Sequence, residues 1–127
     1  MKRKTGYCVD CGGWIGTDLG DGFLCASCKN RQAEGERLLN ERRYAEAEAL
    51  LESVVRDGPQ RALPYALLID AITKNWSADG ILNANRMARA ERLCEGMKAF
   101  TEEKDRLLYI STRTKLNLVS GIARPDR

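Results

Sequence analysis

A chain of 127 residues, 43% hydrophobic and 31% charged, has the composition of an ordinary globular protein and room for one compact domain or a minidomain joined to a helical body. A formal charge of +3 argues only weakly for nucleic acid, and no apolar run approaches the roughly 18 residues of a membrane span. Histidine, the commonest general base, is absent and no glycine-rich phosphate loop occurs, so the expectation is a protein that is not an enzyme and has no small-molecule substrate.

Two CxxC pairs open the chain, Cys8 with Cys11 and Cys25 with Cys28, separated by residues 12–24. Two such pairs can fold back on each other and present four thiolates to one tetrahedral ion, at Zn–S distances of roughly 2.3 Å. Trp14 and Ile15 form a short expected strand, Asp21-Gly22 is a hairpin signal, and Phe23 and Leu24 lead the return strand into Cys25. So small a hairpin buries too little apolar surface to fold alone, and metal binding would supply on the order of 10 kcal/mol. The expected cofactor is one structural Zn²⁺ per chain, which would bring the formal charge of +3 down to +1. Tetrahedral sulfur sites also suit iron, and that alternative stays open. Disulfides would suit a secreted chain, but Met1 to Gly6 lead into no apolar signal segment, and the expected location is cytoplasmic.

At these residues the sequence resembles zinc-ribbon and treble-clef fingers. The run CVDCG, Ile15 and CASCK resembles the four-cysteine finger of the DksA/TraR family of RNA polymerase regulators. That family sets a helical coiled coil before its finger, whereas only seven residues precede Cys8, so its polymerase-channel mechanism is not implied.

From Asn30 onward the pattern turns helical. The expected organisation is a zinc finger over 1–30 and a helical domain over 31–127, a mostly α fold in which a small zinc-binding β-hairpin joins a bundle of about five helices. Residues 31–41 read as one helix with Leu38 and Leu39 on its apolar side, and 44–57 as a second with Tyr44, Ala47, Leu51 and Val54 at helical spacing, ended by Gly58-Pro59. The two-residue connection makes them an antiparallel hairpin. A third helix spans 63–75 with Pro64 in its first turn. A fourth, capped by Ser77 or Asp79, runs to about Lys98 and buries Leu82, Met87, Ala90, Cys94 and Met97. Thr101 caps a fifth, with Leu107, Leu108, Ile110 and Leu118 as its apolar positions and Gly121 and Pro125 as its end.

The first hairpin resembles a tetratricopeptide repeat: Gly35, Leu38, Ala47, Leu51, Val54 and Pro59 fall at that family's spacing, and Tyr65, Leu68 and Ile72 would begin a second unit. The resemblance implies packed helical hairpins that offer a groove to a partner. The expected function is therefore a non-enzymatic adaptor, regulator or inhibitor that binds a larger protein or nucleoprotein complex. The alternative is a nucleic-acid-binding transcription regulator using the basic arm Lys2 to Lys4, the finger and the arginine-bearing helix. Candidate partner-binding residues are Trp14, Arg42, Arg43, Arg86, Arg89 and Arg92. Charge is uneven: residues 32–59 carry 4 basic and 7 acidic groups, and 60–127 carry 12 and 8.

Overall fold

The computed structural model describes residues 26–59 and 61–123, and within them all regular structure is helical. The expected β-hairpin, Cys8, Cys11, Trp14 and Cys25 lie outside the described residues.

Helix α1 spans Ala26–Asn40, five residues longer at its start than the sequence pattern implies, so Cys28 lies in its first turn and the expected boundary at residue 30 falls within the helix. Its far end closes by carbonyl capping: the Arg42 N–H donates to Leu39 and the Arg43 N–H to Leu38, with Arg42 in the left-handed region at φ 61. That turn sends the chain back as α2, Tyr44–Arg56, which buries Ala47, Leu51 and Val54. The two helices approach closely at Gly35, where an added Cβ would stand 2.8 Å from Leu51 Cδ2. Gly58, at φ 73, ends α2 just before Pro59.

Helix α3, Leu63–Ile72, starts with Pro64 in its first turn and buries Leu67, Leu68, Ile69, Ala71 and Ile72. It is the central rod, packed against α2, α5 and α6. It stops at Ile72 rather than at residue 75 because Lys74, Asn75 and Trp76 all take left-handed backbone, at φ 49, 54 and 62. Each such residue costs roughly 1–2 kcal/mol unless its surroundings hold it. Here Thr73 Oγ1 accepts from the Trp76 N–H at 3.2 Å, Asp70 Oδ1 accepts from Trp76 Nε1 at 2.9 Å, and the Asp70 carbonyl accepts from the Asn75 N–H at 2.6 Å.

The expected fourth helix is two. A single turn, α4 at Ala78–Ile81, is followed by α5 at Ala84–Gly96, because Asn83 leaves the helical region and caps α5 by accepting from the Arg86 N–H at 3.0 Å. Leu82 falls at the break and is 64% exposed instead of buried, whereas Ala90, Cys94 and Met97 are buried as expected. A 3-10 turn, Met97–Ala99, leads to Phe100, whose ring packs tilted against Tyr65.

Helix α6, Glu103–Ala123, is the longest at 21 residues and continues past Gly121. Its inward face differs from the expected one. Leu116 and Val119 are buried together with Asp105 and Thr112, while Leu107, Ile110 and Leu118 face outward; of the four expected positions only Leu108 packs on the core. Polar residues on the buried side disguise the amphipathic pattern. Asp105 explains itself: its Oδ1 accepts from the Ala62 N–H at 3.0 Å, joining the start of α6 to the start of α3. No helix among the described residues is long and apolar enough to cross a membrane.

Candidate metal centre and binding surfaces

Cys28 is fully buried, with 0% exposure. A guanidinium nitrogen of Arg31, one helical turn on, donates to its Sγ at 3.4 Å, and the same nitrogen reaches Asp57 Oδ2 at 2.6 Å just past the end of α2. The Asp57 hydrogen bond, followed by that to Cys28, raises the Arg31 pKa and keeps the group cationic. Arg31 Nε is buried without a hydrogen-bond partner in the described structure. On the next residue, Gln32 Oε1 accepts from Arg61, so the opening turns of α1 are tied to the junction between α2 and α3.

Of the four expected metal ligands only Cys28 falls among the described residues; Cys8, Cys11 and Cys25 lie outside them. Among the described residues no group of three or more metal-ligating side chains occurs. Cys94 is different: it is buried in the core, and burial pushes its thiol pKa up, which makes it inert.

The arginine row divides. Arg86 and Arg89 both bind Glu48 of α2, at 2.8 and 2.9 Å, and Arg89 also reaches Glu52 at 2.7 Å. Burial raises the Glu48 pKa and the two guanidiniums more than offset it, so the net shift is downward. These arginines fasten α5 to α2. Arg92 is exposed and makes no ion pair among the described residues. Arg43 folds back on Glu46 and Glu41, whereas Arg42 is exposed beside it. Arg42, Arg43, Lys74 and Arg86 line a polar cleft of about 520 Å³ together with Glu46, Glu48 and Asp79.

Among the described residues, the outward face of α6 is where exposed large apolar groups gather. Leu107, Ile110 and Leu118 are 59%, 54% and 65% exposed and, with Thr114 between them, follow helical spacing along one side. Lys104 and Lys115 run along one edge of this stripe and Arg106 along the other, all exposed, and Glu103 stands at its N-terminal end. Beside the stripe, a shallow apolar cleft of about 330 Å³ lies between Met97, Phe100, Tyr109 and Ile110.

The sequence reading missed Asp105, Arg31–Asp57 and the Asp70–Trp76 pair, all joined through tertiary structure. A short-range signal existed only for the last, since Asp70 and Trp76 straddle the end of α3. No protein-family model matches the chain, and neither curated proteins nor solved structures yield a match.

Proposed function

We propose that the chain is a non-enzymatic adaptor, regulator or inhibitor that binds a larger protein or nucleoprotein complex, with one structural Zn²⁺ held by Cys8, Cys11, Cys25 and Cys28. The observation that carries the binding reading is the outward face of α6. Isolated exposed leucines are ordinary on a protein surface, but three large apolar side chains in register on one helix face make a docking stripe. Its basic edges select the partner's chemistry: an amphipathic helix with an apolar ridge and acidic flanks. The hairpin of α1 and α2, closely packed at Gly35, acts as the scaffold in the manner of the tetratricopeptide repeats it resembles.

The zinc reading is supported by Cys28, buried in the first turn of a helix beside a cation, the place a treble-clef finger gives its second ligand pair. Nucleic-acid binding through the arginine-bearing helix is the weaker reading, because Arg86 and Arg89 are engaged by Glu48 and Glu52.

The test combines elemental analysis with affinity purification from the native host, with and without nuclease. One equivalent of zinc is expected, and a bound protein that survives nuclease and is lost from a Leu107→Glu/Ile110→Glu double variant of unchanged helicity. Nuclease-sensitive capture would transfer the function to nucleic acid, and capture unaffected by the double variant would remove α6 as the surface.

A further inference from the structure

We infer that Arg56 and Arg92 form a further binding site, for a carboxylate on an acidic segment of a partner protein. The site is separate from the α6 stripe and does not depend on the metal reading. It follows from a ladder of ion pairs. Helix α3 packs against both α2 and α5, and long side chains join the two across it, Glu48 to Arg86 and Arg89, then Glu52 to Arg89. Along this seam the acids advance by four residues and the arginines by three, so each series stays on one face of its helix. The next positions in the two series are Arg56 and Arg92. Both are exposed, and both line a cleft of about 340 Å³ together with Glu52 and Arg89, the rung before them. Where the earlier rungs set acid against arginine, this one brings two arginines together.

The carboxylates nearest in sequence are engaged elsewhere. Asp57, next to Arg56, binds Arg31; Glu91, next to Arg92, binds Arg113; and Glu95, one turn further on, binds Lys98 and Arg113. Neither Arg56 nor Arg92 makes an ion pair among the described residues. Two like charges in one cleft repel, and an anion between them replaces that repulsion with two attractions. The seam itself indicates which anion. Glu48 accepts from Arg86 and Arg89 together, at 2.8 and 2.9 Å, and an incoming carboxylate would repeat that arrangement between Arg56 and Arg92. Val55 and Leu93, both partly buried, line the same cleft with the buried Leu68, so an apolar side chain beside the carboxylate has surface to cover. The segment that fits is an acidic residue with an apolar neighbour.

The experiment titrates the isotope-labelled full-length chain with the peptide acetyl-Leu-Glu-Glu-Leu-amide, with its glutamine counterpart and with inorganic phosphate, following backbone and arginine Nε–H signals by NMR. The glutamate peptide is expected to bind with a Kd in the millimolar range, about tenfold or more below that of the glutamine peptide. It should shift the Nε–H signals of Arg56 and Arg92 and the amides around Val55 and Leu93. Arg56→Gln and Arg92→Gln should each weaken it about tenfold with helicity unchanged. Arg56→Glu, which sets a carboxylate of the chain itself on that face of α2, should abolish it. Equal binding of the two peptides overturns the inference, as does binding that both glutamine variants leave intact; shifts confined to α6 in that case would assign the peptide to the stripe there. Phosphate bound as tightly as the glutamate peptide also overturns it and moves the site to a phosphoryl ligand. So does the absence of saturable shifts with the glutamate peptide at millimolar concentration. If one glutamine variant fails to fold, the other decides.

Discussion

Gly80 lies against the backbone of Thr73 so closely that a Cβ at position 80 would stand 1.9 Å from the Thr73 carbonyl oxygen. The obstacle is main chain, which cannot swing aside as a side chain can. Gly80→Ala is therefore expected to destabilise the protein by about 3 kcal/mol or more, read by urea denaturation. Gly58→Ala makes the control. Gly58 has φ 73 but nothing within 4 Å, so only the left-handed backbone cost, about 1 kcal/mol, should be lost.

Asp105→Ala should cost about 2 kcal/mol, since it strands the buried Ala62 N–H that the carboxylate accepts from. Asp105→Asn keeps an acceptor oxygen and should cost less. Equal losses in the two variants would show that the charge, rather than the hydrogen bond, is what matters.

Asp70 supplies a pH signature. Burial raises its pKa, and the Trp76 hydrogen bond and Lys115 offset this only in part. A carboxyl raised in the folded state contributes stability that is complete below the unfolded pKa, about 3.9, and lost as pH rises through the folded value. Asp70→Asn can still accept from Trp76 Nε1 and does not ionise. Its stability relative to wild type should accordingly improve from pH 3 to pH 7, as followed by thermal melts. A constant difference across that range would contradict the assignment.

Charge reversal separates the arginines that build the fold from the one that does not. Arg89→Glu would set a third carboxylate against Glu48 and Glu52 and should cost about 1–2 kcal/mol in denaturation. Arg92→Glu should leave stability within about 0.5 kcal/mol of wild type. A matching loss at both positions would mean that the α2–α5 ion pairs contribute nothing specific.

The outward face of α6 predicts the opposite of a core. Leu107→Glu and Ile110→Glu should each leave the melting temperature nearly unchanged, because both side chains are more than half exposed. Leu116→Glu, on the fully buried side of the same helix, should unfold the protein in circular dichroism.

Legibility in the sequence followed the range of the interaction that decides each element. Helix α2 could be read from Ala47, Leu51 and Val54 and its end from Gly58-Pro59, because spacing and punctuation are local. The start of α1 was hidden, since Cys25 and Cys28 carry a motif read as a knuckle and no acidic residue marks the first turn. The end of α3 was hidden because its left-handed run uses Lys74, Asn75 and Trp76 where glycine is the usual signal. In α6 the reading chose the apolar stripe that faces solvent, since the inward face contains Asp105, which the Ala62 N–H engages from α3, and the buried Thr112. Of the candidate site, the four-cysteine reading rests on residue type and spacing, and only Cys28 of the four lies among the described residues. The link from Cys28 through Arg31 to Asp57 depends on an ion pair between Arg31 and Asp57, 26 residues apart in sequence, and could not be read from spacing.

The left-handed run at Lys74 to Trp76 divides the described chain into α1–α3 before it and α4–α6 after it. Locally it is uphill, and the compensation beyond the run's own backbone bonds comes from Gly80 seated against Thr73 and from Trp76 reaching Asp70. The turn is therefore a seam along which the molecule opens: in native-state hydrogen exchange, the Trp76 and Ser77 amides should share one opening free energy with α4, below that of the α3 amides.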